Sequence, residues 1–373
     1  MKIKKHFTFQ LTLCLLSFTL ALSFASADGW KTYTEGGGYI SCANCPAFVN
    51  DGYLYSCQGH VYFRTKLQSD GSFGEMTSFI TSWGLGLELC GLATTDKWVY
   101  FIGGNITPTS ELANSIGVFF TSIDTNGYLS DPIQTYDLRI GRAKCASLIV
   151  GNKLYVFGGY GTTTWAPQYA LSSNEYGVID TTYGGITTYV QYTSSFSTIS
   201  GTVYLAFNRG DRIYCLGESS GTPGCYLEYS DIQPDGSLGK WTALPGPFGF
   251  KPQLAVMTQS STLFGVGPAG ISGHPATRMD ISDNEVEGKY FRTATSSPIN
   301  RNGPSITTWG RFVYLLGGFA TASYDIYDPD MTGTDLFEEN QNPLIQTSEF
   351  FSIPGDLEMS PESPVNIRTF RIK

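Results

Sequence analysis

The chain has 373 residues, 41% of them hydrophobic, with 43 Gly, 23 Tyr and 24 Phe but only 15% charged residues. Its 23 Lys+Arg against 32 Asp+Glu leave a net charge of −9, a surface that repels phosphate backbones and excludes nucleic acid as a partner. Glycine turns between aromatic-rich segments point to an all-β protein of many short strands.

The first residues are a basic stretch (Lys2, Lys4, Lys5), an apolar run from Phe7 to Phe24, and Ala25-Ser26-Ala27. This pattern predicts a secretory signal peptide over residues 1–27, cleaved after Ala27, and hence a secreted or periplasmic protein. No segment remains after cleavage that would span a membrane. Loss of the three lysines from the 23 basic residues leaves 20 against 32 acids, a net charge of −12.

From there one element recurs: an apolar residue, an aromatic, two mostly apolar residues, then Gly. It reads LYSCQG (54–59), VYFIGG (99–104), LYVFGG (154–159), IYCLGE (213–218), LFGVGP (263–268) and VYLLGG (313–318). Each copy follows a short segment ending in a turn such as Asn50-Asp51-Gly52, the signature of a β-hairpin. Between the copies lies a second hairpin with a Gly- or Asp-rich turn, clearest in DIQPDGSLGKW (231–241). Each unit of about 50 residues therefore carries four strands, a to d, and units that cannot bury both faces alone stack into a ring. The sixth unit lacks an outer strand. DGWKTY (28–33) resembles the outer strand LGKWTA, so the N-terminus is expected to close the last blade. The expectation is a six-bladed β-propeller over 28–329, each blade a four-stranded antiparallel sheet, followed by an acidic C-terminal extension over 330–373.

The aromatic-Gly-Gly strand ends and this period resemble the kelch family of propellers. That resemblance implies a fold more than an activity, because kelch-like propellers host enzymes, sugar binders and protein scaffolds.

Counting back thirteen residues from each repeat aromatic gives Arg142, Lys251 and Arg301 in three blades, at the start of strand a. The loops there share a face with the b–c loops, so these cations form either an anion site or structural ties to carbonyls and acids. The b–c loops add Glu218, His274 and the aromatic Trp165 to the ligand-binding candidates. Counting back ten gives Cys45, Cys90 and Cys145, read as small buried residues and not as metal ligands. Two disulfides are expected across hairpins, Cys45–Cys57 and Cys215–Cys225.

Three enzyme readings meet obstacles. A copper radical oxidase needs two histidines from neighbouring blades, and the mature chain has only His60 and His274. A sialidase needs an arginine triad, which Lys251 does not complete. A sugar-acid (sialic acid type) mutarotase, also a kelch-like propeller, would match Glu218 as its catalytic acid–base and borrow Arg301 or Arg142 from another blade. The balance favours a monomeric binding module without cofactor or metal, its partner a glycan or an extracellular protein. The alternative is a carbohydrate isomerase of the mutarotase type.

Overall fold

In a computed structural model of the chain, the described residues are 29–33, 44–58, 61–80, 87, 89–104, 116–161, 169–192, 196–200, 202–219, 224–244, 252–259, 262–267, 276–280, 292–294, 301, 303–318 and 323–328. The signal-peptide segment, the 330–373 extension, His60, Trp165, Lys251 and His274 lie outside them.

Six antiparallel four-stranded sheets form the blades of a β-propeller. Blade 1 runs β2 (Ala47–Asn50), β3 (Tyr53–Gln58), β4 (Val61–Leu67) and β5 (Phe73–Ile80). Blade 2 runs β6 (Gly91–Thr94), β7 (Trp98–Ile102), β8 (Val118–Ser122) and β9 (Ile133–Gln134). Blade 3 holds β10 (Ala146–Val150), β11 (Lys153–Phe157), β14 (Asn174–Ile179) and β15 (Ile186–Tyr192), with a small hairpin, β12 (Tyr160–Gly161) and β13 (Tyr169–Ala170), in its b–c loop. Blade 4 runs β16 (Val203–Arg209), β17 (Arg212–Glu218), β18 (Cys225–Asp231) and β19 (Thr242–Ala243). Blade 5 runs β20 (Leu254–Met257), β21 (Thr262–Val266), β22 (Ala276–Asp280) and β23 (Arg292–Ala294). Blade 6 has β24 (Ser305–Trp309), β25 (Phe312–Leu316) and β26 (Tyr324–Tyr327), and its outer strand is β1 (Trp30–Tyr33). The N-terminal strand closes the ring with Trp30 opposite Tyr327 and Tyr33 opposite Tyr324.

The inner hairpins form where the turn residues allow them. At Asp51-Gly52 both residues have positive φ, 45° and 71°, the geometry whose twist matches the flanking strands.

The core is not one cluster but six, one at each seam between blades. Phe48, Tyr55 and Cys57 of blade 1 pack on Leu87, Val99 and Phe101 of blade 2. Trp30 and Tyr327 of blade 6 pack on Phe264 and Val266 of blade 5. The repeat aromatics also carry a hydrogen bond across four of these seams. Tyr55 donates to Gly127 O at 2.7 Å, Tyr100 to Gly184 O at 2.7 Å, Tyr155 to Gly236 O at 2.9 Å, and Tyr314 to Gly71 O at 3.0 Å. Each acceptor is the glycine of the next blade's c–d turn. All four glycines have φ between 78° and 84°, and a Cβ at Gly184 would lie 2.6 Å from the Trp98 ring. The blade that presents Phe264 instead of tyrosine faces blade 6, whose outer strand comes from the other end of the chain. No c–d turn exists there to receive a hydroxyl.

Neither expected disulfide is present. Cys57, Cys215 and Cys225 are thiols, and Cys45 is disulfide-bonded to a cysteine other than these. The register explains why. With Ala47 opposite Ser56, Cys45 falls opposite Gln58 and not Cys57, so the two side chains alternate to opposite faces. Cys215 is opposite Glu228 and Cys225 is opposite Glu218, which again places the two sulfurs on different faces, in different seams.

The clamp is testable. Tyr100→Phe should cost about 1 kcal/mol in urea unfolding, the worth of one buried hydrogen bond. Gly184→Ala should cost more, on the order of 2–3 kcal/mol, because it adds left-handed strain to the overlap with Trp98. Stability equal to the parent in both variants would remove the clamp as a seam interaction.

Candidate functional site

The two described arginines of the expected cationic ring do not face the channel. Arg142 is fully buried. It donates to Glu175 Oε1 at 2.8 and 3.2 Å, to the carbonyls of Gly158 and Ser173 at 2.8 Å, and to Ser173 Oγ at 2.9 Å. Arg301, also fully buried, donates to Asp325 Oδ2 at 3.2 Å, to Gly317 O at 2.9 Å, and to Ser323 O and Oγ. Asp325 Oδ1 also accepts from Thr32 Oγ1 at 2.7 Å, so the Arg301 pair helps hold the closing strand β1 in place. The structural alternative holds for both: each guanidinium ties the start of strand a to strands b and c of its own blade.

Blade 4 shows the same device without a cation. Its strand c carries a buried acid, Glu228, at the position of Glu175 and Asp325. The sequence has Gly201 where the arginine would stand. Glu228 accepts instead from the amides of Ser197, Thr198 and Ile199, each at 2.6 Å, and from the two hydroxyls. Backbone amides here do the work of a guanidinium in holding a buried carboxylate.

The opening that does face solvent is the central channel, a cavity of about 590 Å³ bounded by the innermost strands. Part of its rim is a collar of main-chain bonds linking four blades. Lys144 N donates to Leu89 O (2.8 Å), Leu89 N to Asn44 O (3.0 Å), and Asn44 N to Gly303 O (2.6 Å). All four residues have left-handed backbone, with φ from 52° to 66°. For Leu89 and Lys144 that conformation costs on the order of 1 kcal/mol each, which the collar bonds offset. Among the described residues the collar stops at blades 4 and 5. Gln253 N turns to Val266 O of its own blade, and Val203 pairs with Gly217.

Glu218 lies in that gap. It ends β17, is half-buried, and lines the channel with Tyr160, Tyr204 and Thr202. Thr202 Oγ1 donates to Glu218 Oε1 at 2.7 Å and lies 2.7 Å from the Tyr160 hydroxyl. Tyr160 donates to the same oxygen at 3.4 Å, and Tyr204 donates to Oε2 at 3.1 Å. Burial, and then the charge of Glu218, push the Tyr204 phenol well above its usual range, so it stays a protonated donor. Tyr160 reaches the group from blade 3 because its main chain pairs in both directions with Ala143. Lys144 and Gln253 also line the channel.

No protein-family model matches this chain, and no characterised protein matches it. Among the described residues, no three His, Cys, Asp or Glu side chains converge as a metal site would require, and no helix is long and apolar enough to cross a membrane.

Of the expected site residues, the structure thus places Glu218 in the channel and Arg142 and Arg301 inside their blades. Tyr204 and Thr202 were not anticipated as partners of Glu218. Tyr204 had a signal, since it stands in the strand-a position that holds cysteine in three other blades, where a tyrosine is out of scale for a crowded axis. Arg142→Ala and Arg301→Ala are expected to destabilise the fold by roughly 3–5 kcal/mol, each leaving a buried carboxylate without its cation. Chemical denaturation of either variant with a midpoint equal to the parent's would contradict this structural role.

Proposed function

We propose that this is an exported, kelch-like binding propeller that takes a hydroxyl-rich ligand, a glycan, at the channel mouth. Glu218 is the observation that carries the reading. It is a carboxylate at a solvent-facing cavity, hydrogen-bonded by the hydroxyls of Thr202, Tyr160 and Tyr204 and flanked by the two tyrosine rings. A carboxylate at a cavity wall is a strong acceptor for ligand hydroxyls, while tyrosine faces suit the apolar side of a sugar ring. A cavity of about 590 Å³ suits a short saccharide better than a protein surface. The six-bladed ring supports the kelch-like reading, and the N-terminal segment supports export. The mutarotase alternative keeps Glu218 but loses its arginines, both of which are committed to buried acids. Binding without turnover is therefore the reading adopted.

Titration of a panel of neutral and acidic saccharides, followed by calorimetry or NMR, tests this. At least one should bind, and Glu218→Ala should weaken it tenfold or more, the loss of one to two charge-assisted hydrogen bonds. A panel without any binder, or a binder indifferent to Glu218→Ala and Tyr160→Ala, would refute the site.

A further inference from the structure

We propose that Cys57 and Cys90 form a cystine across the seam between blades 1 and 2 when the protein folds under oxidising conditions. Cys57 lies on β3, two residues past the repeat tyrosine Tyr55, and is fully buried. Its side chain faces blade 2, packed in one cluster with Leu87, Val99 and Phe101. Cys90 immediately precedes β6 and packs against that same cluster. Both are thiols in the structure.

The next seam supplies the structural counterpart. There Cys145, ten residues before Tyr155, is the blade 3 equivalent of Cys90. Ile102, two residues past Tyr100, is the blade 2 equivalent of Cys57. Cys145 and Ile102 share one buried cluster, and Cys145 Sγ lies 3.8 Å from the Ile102 carbonyl oxygen. The repeat therefore sets the residue ten before one tyrosine against the residue two after the previous one. Only at the blade 1–2 seam are both of these cysteine. Both side chains therefore enter one seam, the juxtaposition that a bridge between the two blades requires.

The chemistry sets when the bridge forms. Burial pushes both thiols well above the ordinary cysteine range, with Cys90 the second cause for Cys57 and Cys145 the second cause for Cys90. The thiolate is the attacking species, so the folded pair exchanges slowly. Oxidation belongs to folding, while the sulfurs are still accessible. With glutathione disulfide as oxidant, the Cys57 thiolate attacks one glutathione sulfur and releases one glutathione thiolate. Cys90 then attacks the Cys57 sulfur of the mixed disulfide and releases the second. Two cysteine thiols lose two protons and two electrons, and one glutathione disulfide becomes two glutathione thiols. The finished bridge is shielded from reductant by the seam that encloses it.

The experiment refolds the full chain from denaturant, once with oxidised and reduced glutathione and once with a phosphine reductant. Free thiols are then alkylated and the digest mapped by mass spectrometry. The oxidised preparation should yield a linked Cys57–Cys90 peptide pair and melt higher by on the order of 5 °C. Cys90→Ala should abolish both the linked peptide and the difference in melting temperature, and Cys145→Ala should leave both in place. Recovery of Cys57 and Cys90 as separate alkylated peptides after oxidative refolding, or of Cys90 linked to Cys145, would overturn the proposal.

Discussion

A tyrosine on strand b of one blade reaching the turn glycine of the next is the contact through which this ring is held in register. No blade has a core of its own: each buries one face against its predecessor and the other against its successor, and the apolar side chains collect in six seams. Apolar packing alone is tolerant of sliding, whereas a buried hydroxyl bonded to one carbonyl is not. The demand falls equally on both partners. The turn must expose its carbonyl at close range, and only glycine adopts the required left-handed backbone without meeting the ring beneath it. Where β1 pairs with β26, it takes the place of that turn, and the tyrosine gives way to Phe264, which packs edge-on against Trp30 at a centroid distance of 6.1 Å.

The carboxylates divide by what surrounds them. Glu175, Asp325 and Glu228 are fully buried and each is met by a full set of donors, two of the three by a guanidinium. Such groups have no spare capacity and hold loops onto strands. Glu218 sits three residues further along strand b than the partner of Glu228, at the gap of the collar, half-buried and hydrogen-bonded by hydroxyls at the channel wall. The difference in solvation, and not in residue type, separates a structural acid from a candidate recognition group.

Much of the fold was legible in the chain. The six aromatic-Gly hairpins, the alternating outer hairpins and the resemblance of residues 28–33 to an outer strand led to six blades closed by the N-terminus. These features are local, and strand periodicity and turn chemistry are written in neighbouring residues. The misreadings share one cause. Cys45 with Cys57, and Cys215 with Cys225, looked adjacent across hairpins, but a single step of register turns a β side chain to the other face. Arg142 and Arg301 were correctly placed at the starts of strands, yet their direction depended on acids 33 and 24 residues further on.

What the amino-acid sequence determined by itself is the number of blades, their order and the closure, because each follows from short-range pattern repeated six times. What only the tertiary structure decided is which side chains meet. The burial of both arginines, the collar that stops at blades 4 and 5, the gathering of Tyr160, Thr202 and Tyr204 around Glu218, and the seam shared by Cys57 and Cys90 all join residues from different strands or blades. Their separation is a property of the ring's curvature and of the parity of each strand pairing, neither of which is encoded at any one position.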